Sequence, residues 1–186
     1  MDRLYFEIIK DQLEKYEQMA FIAGPRQVGK TTLVKEILKS NPQNIYLNWD
    51  IPADRYKILS FFEKSSSFLD LDIKLPNKLI IAFDEIHKFK HWKNFLKGFY
   101  DLYKDTLKII VTGSAKLNIY KKSGDSLMGR YFLYQMHPLT VAEILGKDSP
   151  LDIIQQPKLF PVSNMNRLLE FGGFPAPYIN ADKRFF

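Results

Sequence analysis

The sequence predicts an α/β fold in which a parallel β-sheet lies between two layers of helices. Short apolar segments alternate along the chain with amphipathic segments of helical period. The apolar segments are hydrophobic at consecutive positions, which is typical of strands buried on both faces of a parallel sheet. Hydrophobic residues make up 46% of the 186 residues, which is enough to bury the core of one domain.

Five segments are predicted as strands because they are short and apolar and end in a glycine, a proline or a polar residue. In chain order they are 19–24 (MAFIAG), 45–50 (IYLNWD), 78–85 (KLIIAFDE), 107–114 (LKIIVTGS) and 131–139 (YFLYQMHPL). In an open sheet of parallel strands, ligands bind at the edge formed by the carboxyl ends of the strands. Residues that follow these segments are therefore candidates for a ligand site.

Helices are predicted where apolar residues recur every three or four positions. The clearest case is 91–104, in which Trp92, Phe95, Leu96 and Phe99 share one face. The other helices of the core are predicted at 2–18, at 30–40 before the turn NPQN, and at 52–64 after a proline at its first position. Residues 65–77 are predicted as a loop or short turn.

The character of the chain changes after Pro138. The segments 139–145 and 164–171 have helical spacing, and no further strand is predicted. We therefore expect a core of residues 1–138 followed by a small helical lid at 139–186.

Charge and composition narrow the classes of partner only slightly. The net charge is +6, from 27 basic and 21 acidic residues. This excess suits an acidic ligand or nucleic acid, although the lysines are spread along the chain as on a solvated surface. The sequence has no cysteine, no apolar run of the roughly 18 residues that span a bilayer, and no leader-like start. The expectation is a cytoplasmic protein without a membrane segment.

The segment between the first strand and the second helix matches the pattern G-x-x-x-x-G-K-[ST], the Walker A motif. Such a loop wraps a phosphate in backbone N–H groups, and the helix N-terminus adds its positive dipole end. The lysine can reach the β- and γ-phosphates, and the threonine hydroxyl can bind Mg²⁺. A chance match on a glycine-rich turn is the alternative. The candidate nucleotide-binding residues are Gly24, Pro25, Arg26, Gln27, Val28, Gly29, Lys30, Thr31 and Thr32.

Two acidic residues, Asp84 and Glu85, end the third predicted strand. With Thr31, Asp84 is a candidate to hold Mg²⁺ through its water shell, and Glu85 can take a proton from an attacking water. Alternatively, Glu85 only begins the next helix, where an acid is favourable in any case. Because no arginine-rich lid stretch is evident, the pair favours hydrolysis over transfer to another acceptor.

The fourth predicted strand ends in polar residues as well. Thr112 or Ser114 could hold the attacking water or the γ-phosphate, and we favour Thr112. The alternative interpretation is a helix cap, a position at which serine and glycine are common.

Several stretches together resemble the prokaryotic AAA+ ATPases that carry a C-terminal domain of unknown function. They are GPRQVGKTTL, FDEIH, VTGSAKL, SLMGRYF and GGFP, in this order. The resemblance covers nearly the whole chain and implies a P-loop NTPase of the AAA+ type with strand order 5-1-4-3-2, a helical lid and ATP as ligand. Members usually continue into a second domain after the GGFP region. Residues 139–186 are thus expected to be the lid or the start of a linker to a C-terminal domain.

Two further site residues follow from the resemblance alone. Pro175 is expected near the base or ribose of the nucleotide, unless the GGFP stretch simply ends a helix. Arg130 lies where AAA+ ATPases often place an arginine that reaches the γ-phosphate of a neighbouring subunit, which implies a homo-oligomer. Its turn is expected to lie toward the edge where that phosphate docks. Alternatively, Arg130 pairs with an acid such as Asp125 and fixes the turn.

We interpret the chain as an Mg²⁺-dependent ATPase domain. Two alternatives stay open: an ATP-operated switch of slow turnover that controls an unknown protein partner, and a DNA-associated ATPase. His87, His91 and His137 do not form a metal-binding pattern, and His87 and His91 are interpreted as helix-face or packing residues.

Overall fold

The computed structural model of the chain describes residues 3–61, 78–114, 117, 127–146 and 159–181. Within these ranges the strands are β1 (Met19–Ala23), β2 (Ile45–Asn48), β3 (Leu79–Asp84), β4 (Leu107–Gly113) and β5 (Tyr131–Gln135). All neighbours pair in parallel, and the order across the sheet is β2-β3-β4-β1-β5. This is the predicted order 5-1-4-3-2 counted from the other edge, so the predicted fold class is confirmed.

The helices in the same ranges follow the predicted segments closely in the core. They are α1 (Leu4–Lys15), α2 (Lys30–Leu38), α3 (Pro52–Ser60), α4 (Trp92–Tyr103), α5 (Val141–Ile144), α6 (Val162–Phe171) and α7 (Pro175–Asn180), with a 3-10 turn at Ile86–Lys88. The predicted loop at 65–77 lies outside the described residues.

One predicted strand boundary was wrong, and one helix was not predicted. The fifth strand ends at Gln135 and not at 139, because its partner strand β1 itself ends at Ala23 and leaves only the Met136 amide to complete the ladder. Helix α7 was not predicted, since its sequence contains Pro175 and Pro177. Proline is tolerated in the first turn of a helix, where the backbone N–H groups have no partner within the helix.

The sheet buries a hydrophobic layer on each face. Phe21 packs into a layer with the residues of α3 and α4, and the next residue, Ile22, packs into a layer with α1 and α2. All five residues of β1 are buried, which explains the unbroken apolar run of this central strand. Because every strand is parallel, the carboxyl ends of β1, β3 and β4 meet at one edge of the sheet.

No helix in the described ranges is long and apolar enough to cross a membrane.

Candidate functional site

The loop between β1 and α2 has the backbone conformation that its sequence predicts. Gln27 and Gly29 both lie in the left-handed region, with φ of 63° and 97°. Gly29 is the N-cap of α2. Glycine adopts this region without strain, and a glutamine there is uncommon outside tight functional turns. The two left-handed residues lie in a series of turns and bends at residues 26–29 that leads into the first turn of α2.

Gly24 is required by a close approach to the neighbouring strand. A Cβ atom on Gly24 would lie 2.3 Å from the backbone oxygen of Met136. This oxygen cannot move easily, because the amide of Met136 donates a hydrogen bond of 2.7 Å to Ala23 O. The first glycine of the motif therefore lets β1 and β5 stay paired up to the point where the loop begins.

Lys30 turns its ammonium group into the loop. Its side chain donates hydrogen bonds of 3.0 Å to Gly24 O and 2.6 Å to Pro25 O, and the residue is only 7% exposed. Burial lowers the pKa of Lys30, and the charges of Glu85 and Asp84 oppose that shift. A positive charge is thus held inside a concave ring of backbone groups, where an anion would stabilise it.

Asp84 accepts hydrogen bonds from three hydroxyl groups on three different elements. Thr31 Oγ1 donates to Oδ2 at 2.8 Å, Tyr46 OH donates to the same oxygen at 2.6 Å, and Thr112 Oγ1 donates to Oδ1. Asp84 is 3% exposed. Burial, and then the hydrogen bond to Asp84, raise the pKa of the Tyr46 phenol, so this hydroxyl stays a donor. The contact brings together the two predicted Mg²⁺ ligands, Thr31 and Asp84.

This set of donors fits Mg²⁺. A hydroxyl oxygen and a carboxylate oxygen are hard ligands of the kind that this ion prefers, and they lie beside the loop that would hold phosphate. Tyr46 was not among the predicted site residues. The signal that could have found it is its place on β2, which the implied strand order puts directly beside β3.

Glu85 lies at the same edge, immediately after β3. Its backbone is left-handed with φ of 56°, and its amide donates to Thr112 O at 3.1 Å. Its Oε2 lies 3.2 Å from Lys88 Nζ and 3.8 Å from His87 Nε2. Glu85 is the N-cap of the following 3-10 turn, and its side chain makes no capping hydrogen bond there. Glu85 thus precedes a short helical turn, as the alternative interpretation held, and its role as a general base stays a prediction.

Lys88 links Glu85 to the end of β2. Its ammonium lies 2.5 Å from Asp50 Oδ2, and this hydrogen bond raises its pKa, with a further contribution from Glu85. The Nε2 atom of His87 lies 3.1 Å from Ser114 Oγ. The histidine was interpreted as a helix-face or packing residue, and it does pack closely, since a Cβ on Gly113 would lie 2.5 Å from His87 Nδ1. Its imidazole also lies between two predicted site residues, Glu85 and Ser114. The short 3-10 turn Ile86–Lys88, which was not predicted, brings His87 to this edge of the sheet.

The two candidates at the end of β4 have different environments. Thr112 is 1% exposed, and its hydroxyl is bonded to Asp84. Ser114 follows the strand, is partly exposed and contacts His87. The geometry favours Ser114 over Thr112 as the residue that faces a γ-phosphate or a water, and it gives Thr112 a place beside the predicted metal ligand.

Pro175 lies against the loop of residues 24–29, which we call the phosphate loop. A Cβ placed on Gly29 would lie 3.9 Å from Pro175 Cγ, 3.7 Å from Met136 Cε and 3.7 Å from Arg3 Nη1. Gly172 ends α6 and Pro175 begins α7, so the GGFP stretch does end a helix, as the alternative interpretation held. Both features coexist, because the short connection between the helices brings Pro175 to the loop.

Arg130 lies at the opposite edge of the sheet. It immediately precedes β5, whose first residue pairs with Met19 at the start of β1. At about 3.3 Å per residue along a strand, Arg130 is roughly 17 Å from Gln135 at the site edge. Its Nε donates to Asp101 Oδ1 at 2.8 Å and its Nη2 to Oδ2 at 3.1 Å. The turn thus does not lie toward the phosphate loop of its own chain, and among the described residues Arg130 forms an ion pair with Asp101. Asp125 lies outside the described residues.

Comparisons with known proteins support the fold described above. A model of the family described as AAA domain matches residues 16–145. The chain is 28% identical over 155 residues to the uncharacterized protein MJ1637 of Methanocaldococcus jannaschii, and 26% identical over 161 residues to MJ1544 of the same organism. These matches cover 77% and 83% of this chain but 32% and 35% of the relatives. The chain therefore spans about a third of their length.

Two solved structures have a similar fold. AMPPCP-bound DnaA from Aquifex aeolicus superposes with a TM-score of 0.56 at 16% identity, over 96% of this chain and 59% of that chain. The Aeropyrum pernix ORC1 protein in complex with DNA gives a TM-score of 0.50 at 14% identity, over 74% and 44% of the two chains. The fold is that of the AAA+ P-loop ATPases.

The close approach at Gly24 can be separated from ordinary backbone strain. Gly24→Ala should destabilise the protein by about 1–3 kcal/mol more than Gly129→Ala, because the new methyl group must displace the Met136 carbonyl. Gly129 also has a positive φ, of 77°, but no described atom lies within 4 Å of its added Cβ. Urea unfolding of both variants measures the difference. Equal losses of unfolding free energy would show that the tight contact has no energetic role.

Proposed function

The chain belongs to the AAA domain family, and on this premise we propose that it binds ATP with Mg²⁺ and hydrolyses it to ADP and phosphate. One observation carries the proposal: Thr31 and Asp84, from two different elements, meet within 2.8 Å beside the loop that contains Lys30. A hydroxyl, a carboxylate and an ammonium group beside one loop suit a triphosphate with its metal ion.

Binding would use the loop first. The backbone N–H groups of residues 24–32 and the N-terminus of α2 would face the phosphates. Lys30 would exchange its bonds to Gly24 O and Pro25 O for phosphate oxygens. Thr31 and Asp84 would hold Mg²⁺, which would neutralise charge on the β- and γ-phosphates. Pro175 would lie beside the base or ribose, since its ring already packs near Gly29.

Hydrolysis would use Glu85 as the general base. Its Oε2 faces Lys88 and His87, so we assign the acceptance of the water proton to Oε1. The water oxygen forms a bond to the γ-phosphorus, and the bond from that phosphorus to the bridging oxygen breaks. The bridging oxygen keeps the electron pair as ADP leaves. Ser114 would orient the water or the γ-phosphate.

The domain division is part of the same proposal. Residues 1–138 would be the ATPase core, and 139–186 the helical lid or the start of a linker to a C-terminal domain. The relatives are about three times as long as the matched region. An unknown protein partner or a further domain would use the energy of hydrolysis.

An ATP-operated switch of slow turnover is the first alternative. The observation that favours it is the arrangement of Lys30 and Glu85, whose side chains are bonded to the loop and to Lys88. The bonds of Lys30 must be exchanged for phosphate oxygens before catalysis, and the ion pair with Lys88 occupies one of the two carboxylate oxygens of Glu85. Single-turnover and steady-state rates separate the two functions, because a switch would bind ATP tightly and release product slowly.

A DNA-associated ATPase is the second alternative. It rests on the net charge of +6 and on the fold shared with ORC1, which was solved with DNA. A mobility shift that weakens steeply with salt would support it. No binding at low salt would exclude it.

Substitutions of Lys30 and Glu85 should impair different steps, namely ATP binding and ATP hydrolysis. Lys30→Ala should abolish tight ATP binding in a folded protein, because the charge that faces the phosphates is lost. Glu85→Gln should keep ATP binding and lower turnover by about 10²–10⁴-fold, as is usual when a general base is removed. Calorimetry and phosphate release measure the two effects. The controls are Lys39→Ala and Glu36→Gln, which change an exposed ion pair at the C-terminal end of α2. Unchanged ATP affinity in Lys30→Ala, or unchanged turnover in Glu85→Gln, contradicts the assignment.

Arg130 is predicted to act in trans on a neighbouring subunit. An arginine supplied in this way can contribute about 10³–10⁵ in rate, so specific activity should rise with protein concentration. Mixing Arg130→Ala with Glu85→Gln should partly restore activity, since some interfaces then combine both intact residues.

Asp101→Asn is the matched control for Arg130. It removes the ion pair seen here and keeps the guanidinium, so it should retain activity if Arg130 acts on a neighbour. If Asp101→Asn loses as much activity as Arg130→Ala, and mixing restores nothing, Arg130 only fixes its turn.

A further inference from the structure

Arg3, which immediately precedes α1, connects three separate segments through one guanidinium group. Its Nε donates to Glu143 Oε1 at 2.8 Å, its Nη1 to Val28 O at 2.7 Å, and its Nη2 to His137 O at 2.7 Å. The side chain is 10% exposed. Only arginine offers donors in a rigid fork that can serve three acceptors in different directions.

Glu143 is satisfied as completely as Arg3. Its side chain is 2% exposed, and its Oε1 also accepts from Leu4 N at 3.0 Å. Its Oε2 accepts from the backbone of Thr140 at 3.0 Å, which forms a capping box at the start of α5. A buried ion pair of this kind adds little net stability, because desolvation offsets the attraction. Its effect is to fix the relative positions of the segments that it joins.

One of those segments is the phosphate loop. Val28 lies between Gln27 and Gly29, the two left-handed residues. In a trans peptide the C=O and the following N–H point in opposite directions. By holding Val28 O, Arg3 therefore turns the Gly29 N–H away from itself. The orientation of a donor in the loop thus depends on a residue 25 positions earlier in the chain.

The other segments lead to the helices that follow Pro138. The amide of Leu139 donates to Gly173 O at 2.6 Å, and a Cβ on Gly173 would lie 3.0 Å from Leu139 O. The backbone at Gly173 thus packs tightly against the strand exit that Arg3 holds through His137 O. Two residues later, Pro175 approaches Gly29. The loop, the exit of β5 and the start of α7 form a closed set of contacts around Arg3.

We propose that the ion pair of Arg3 and Glu143, called the clasp below, fixes the conformation of the phosphate loop before a ligand binds. We further propose that the clasp couples ligand binding in this loop to helices α6 and α7. Both residues are positioning residues, since they act through Val28 O and through the segment 137–143. The coupling to ATP rests on the proposed function, and the effect of the clasp on the loop of the free protein does not.

The test uses the full chain with three variants. Arg3→Lys keeps the positive charge beside Glu143 but cannot serve three acceptors. Glu143→Gln keeps the shape of the partner and removes its charge. Arg55→Lys is the control, since Arg55 also bonds a backbone carbonyl, that of Trp49. ATP affinity is measured by calorimetry, and amide exchange of each residue is followed by NMR with and without ATP.

Arg3→Lys should weaken ATP binding about 10- to 100-fold, the usual effect of losing a buried hydrogen bond to a charged group. ATP should slow amide exchange in residues 162–180 of the wild type and of Arg55→Lys, but not of Arg3→Lys. A residue with a merely structural role would lower the unfolding midpoint and leave the affinity of the folded protein unchanged. An ATP affinity of folded Arg3→Lys within about twofold of the wild type overturns the proposal. If Arg3→Lys does not fold, the same criteria apply to Glu143→Gln.

The free protein separates this proposal from the proposed function. Without nucleotide, Arg3→Lys should shift the amide resonance of Gly29 and speed exchange at the amide of Leu139, which donates to Gly173 O. If the wild type does not bind ATP but both amides respond, the ATPase proposal is wrong and the clasp on the loop is real. If faster exchange is confined to residues 4–15, the clasp does not exist, whatever the wild type binds.

Discussion

The arrangement of the site depends on the buried carboxylate of Asp84 at the carboxyl end of β3. A carboxylate with 3% exposure needs hydrogen-bond donors, because an unpaired buried charge is costly. Its donors are neutral hydroxyls from α2, β2 and β4, namely Thr31, Tyr46 and Thr112. These contacts fix the start of α2 against two neighbouring strands. None of the three donors carries a positive charge, so the negative charge stays available to a cation at the edge of the sheet.

The phosphate loop is constrained from the other side by the edge strand. Gly24 passes so close to the Met136 carbonyl that no side chain fits, while Arg3 and Pro175 approach Gly29. The loop is thus held between β5 with the later helices and the carboxylate of Asp84. A cradle of N–H groups binds an anion well only if its donors are oriented before the anion arrives. The tight packing around the loop supplies this order, and glycines at 24 and 29 are the condition for it.

Sequence patterns could predict the strands, the phosphate loop and the acidic pair, because each depends on neighbours within a few residues. The order of the strands depends on contacts between distant segments, and it was predicted only from the family resemblance. Strand β1 is apolar at every position, and the motif at Gly24–Thr31 carries its own turn and helix start. The contacts that complete the site depend on distant residues. Arg3 and Glu143 are 140 positions apart, and neither has a local signal beyond a capping box at Thr140. His87 approaches Ser114 only because a 3-10 turn follows β3, and the meeting of Arg130 with Asp101 required the packing of α4 near the start of β5.

The charged groups of the site make binding and folding depend on each other. Burial lowers the pKa of Lys30, which means that its charged form is disfavoured in the protein alone. A phosphate beside the ammonium would remove part of this penalty, so an anionic ligand would stabilise the folded state by more than its contacts with the loop. A ligand that binds only the folded state stabilises it by RT ln(1 + [L]/Kd). The Arg3–Glu143 pair also makes separate segments depend on one another. Its donors and acceptors are satisfied only when the loop, the exit of β5 and α5 are all in place, so order in one of these segments favours order in the others.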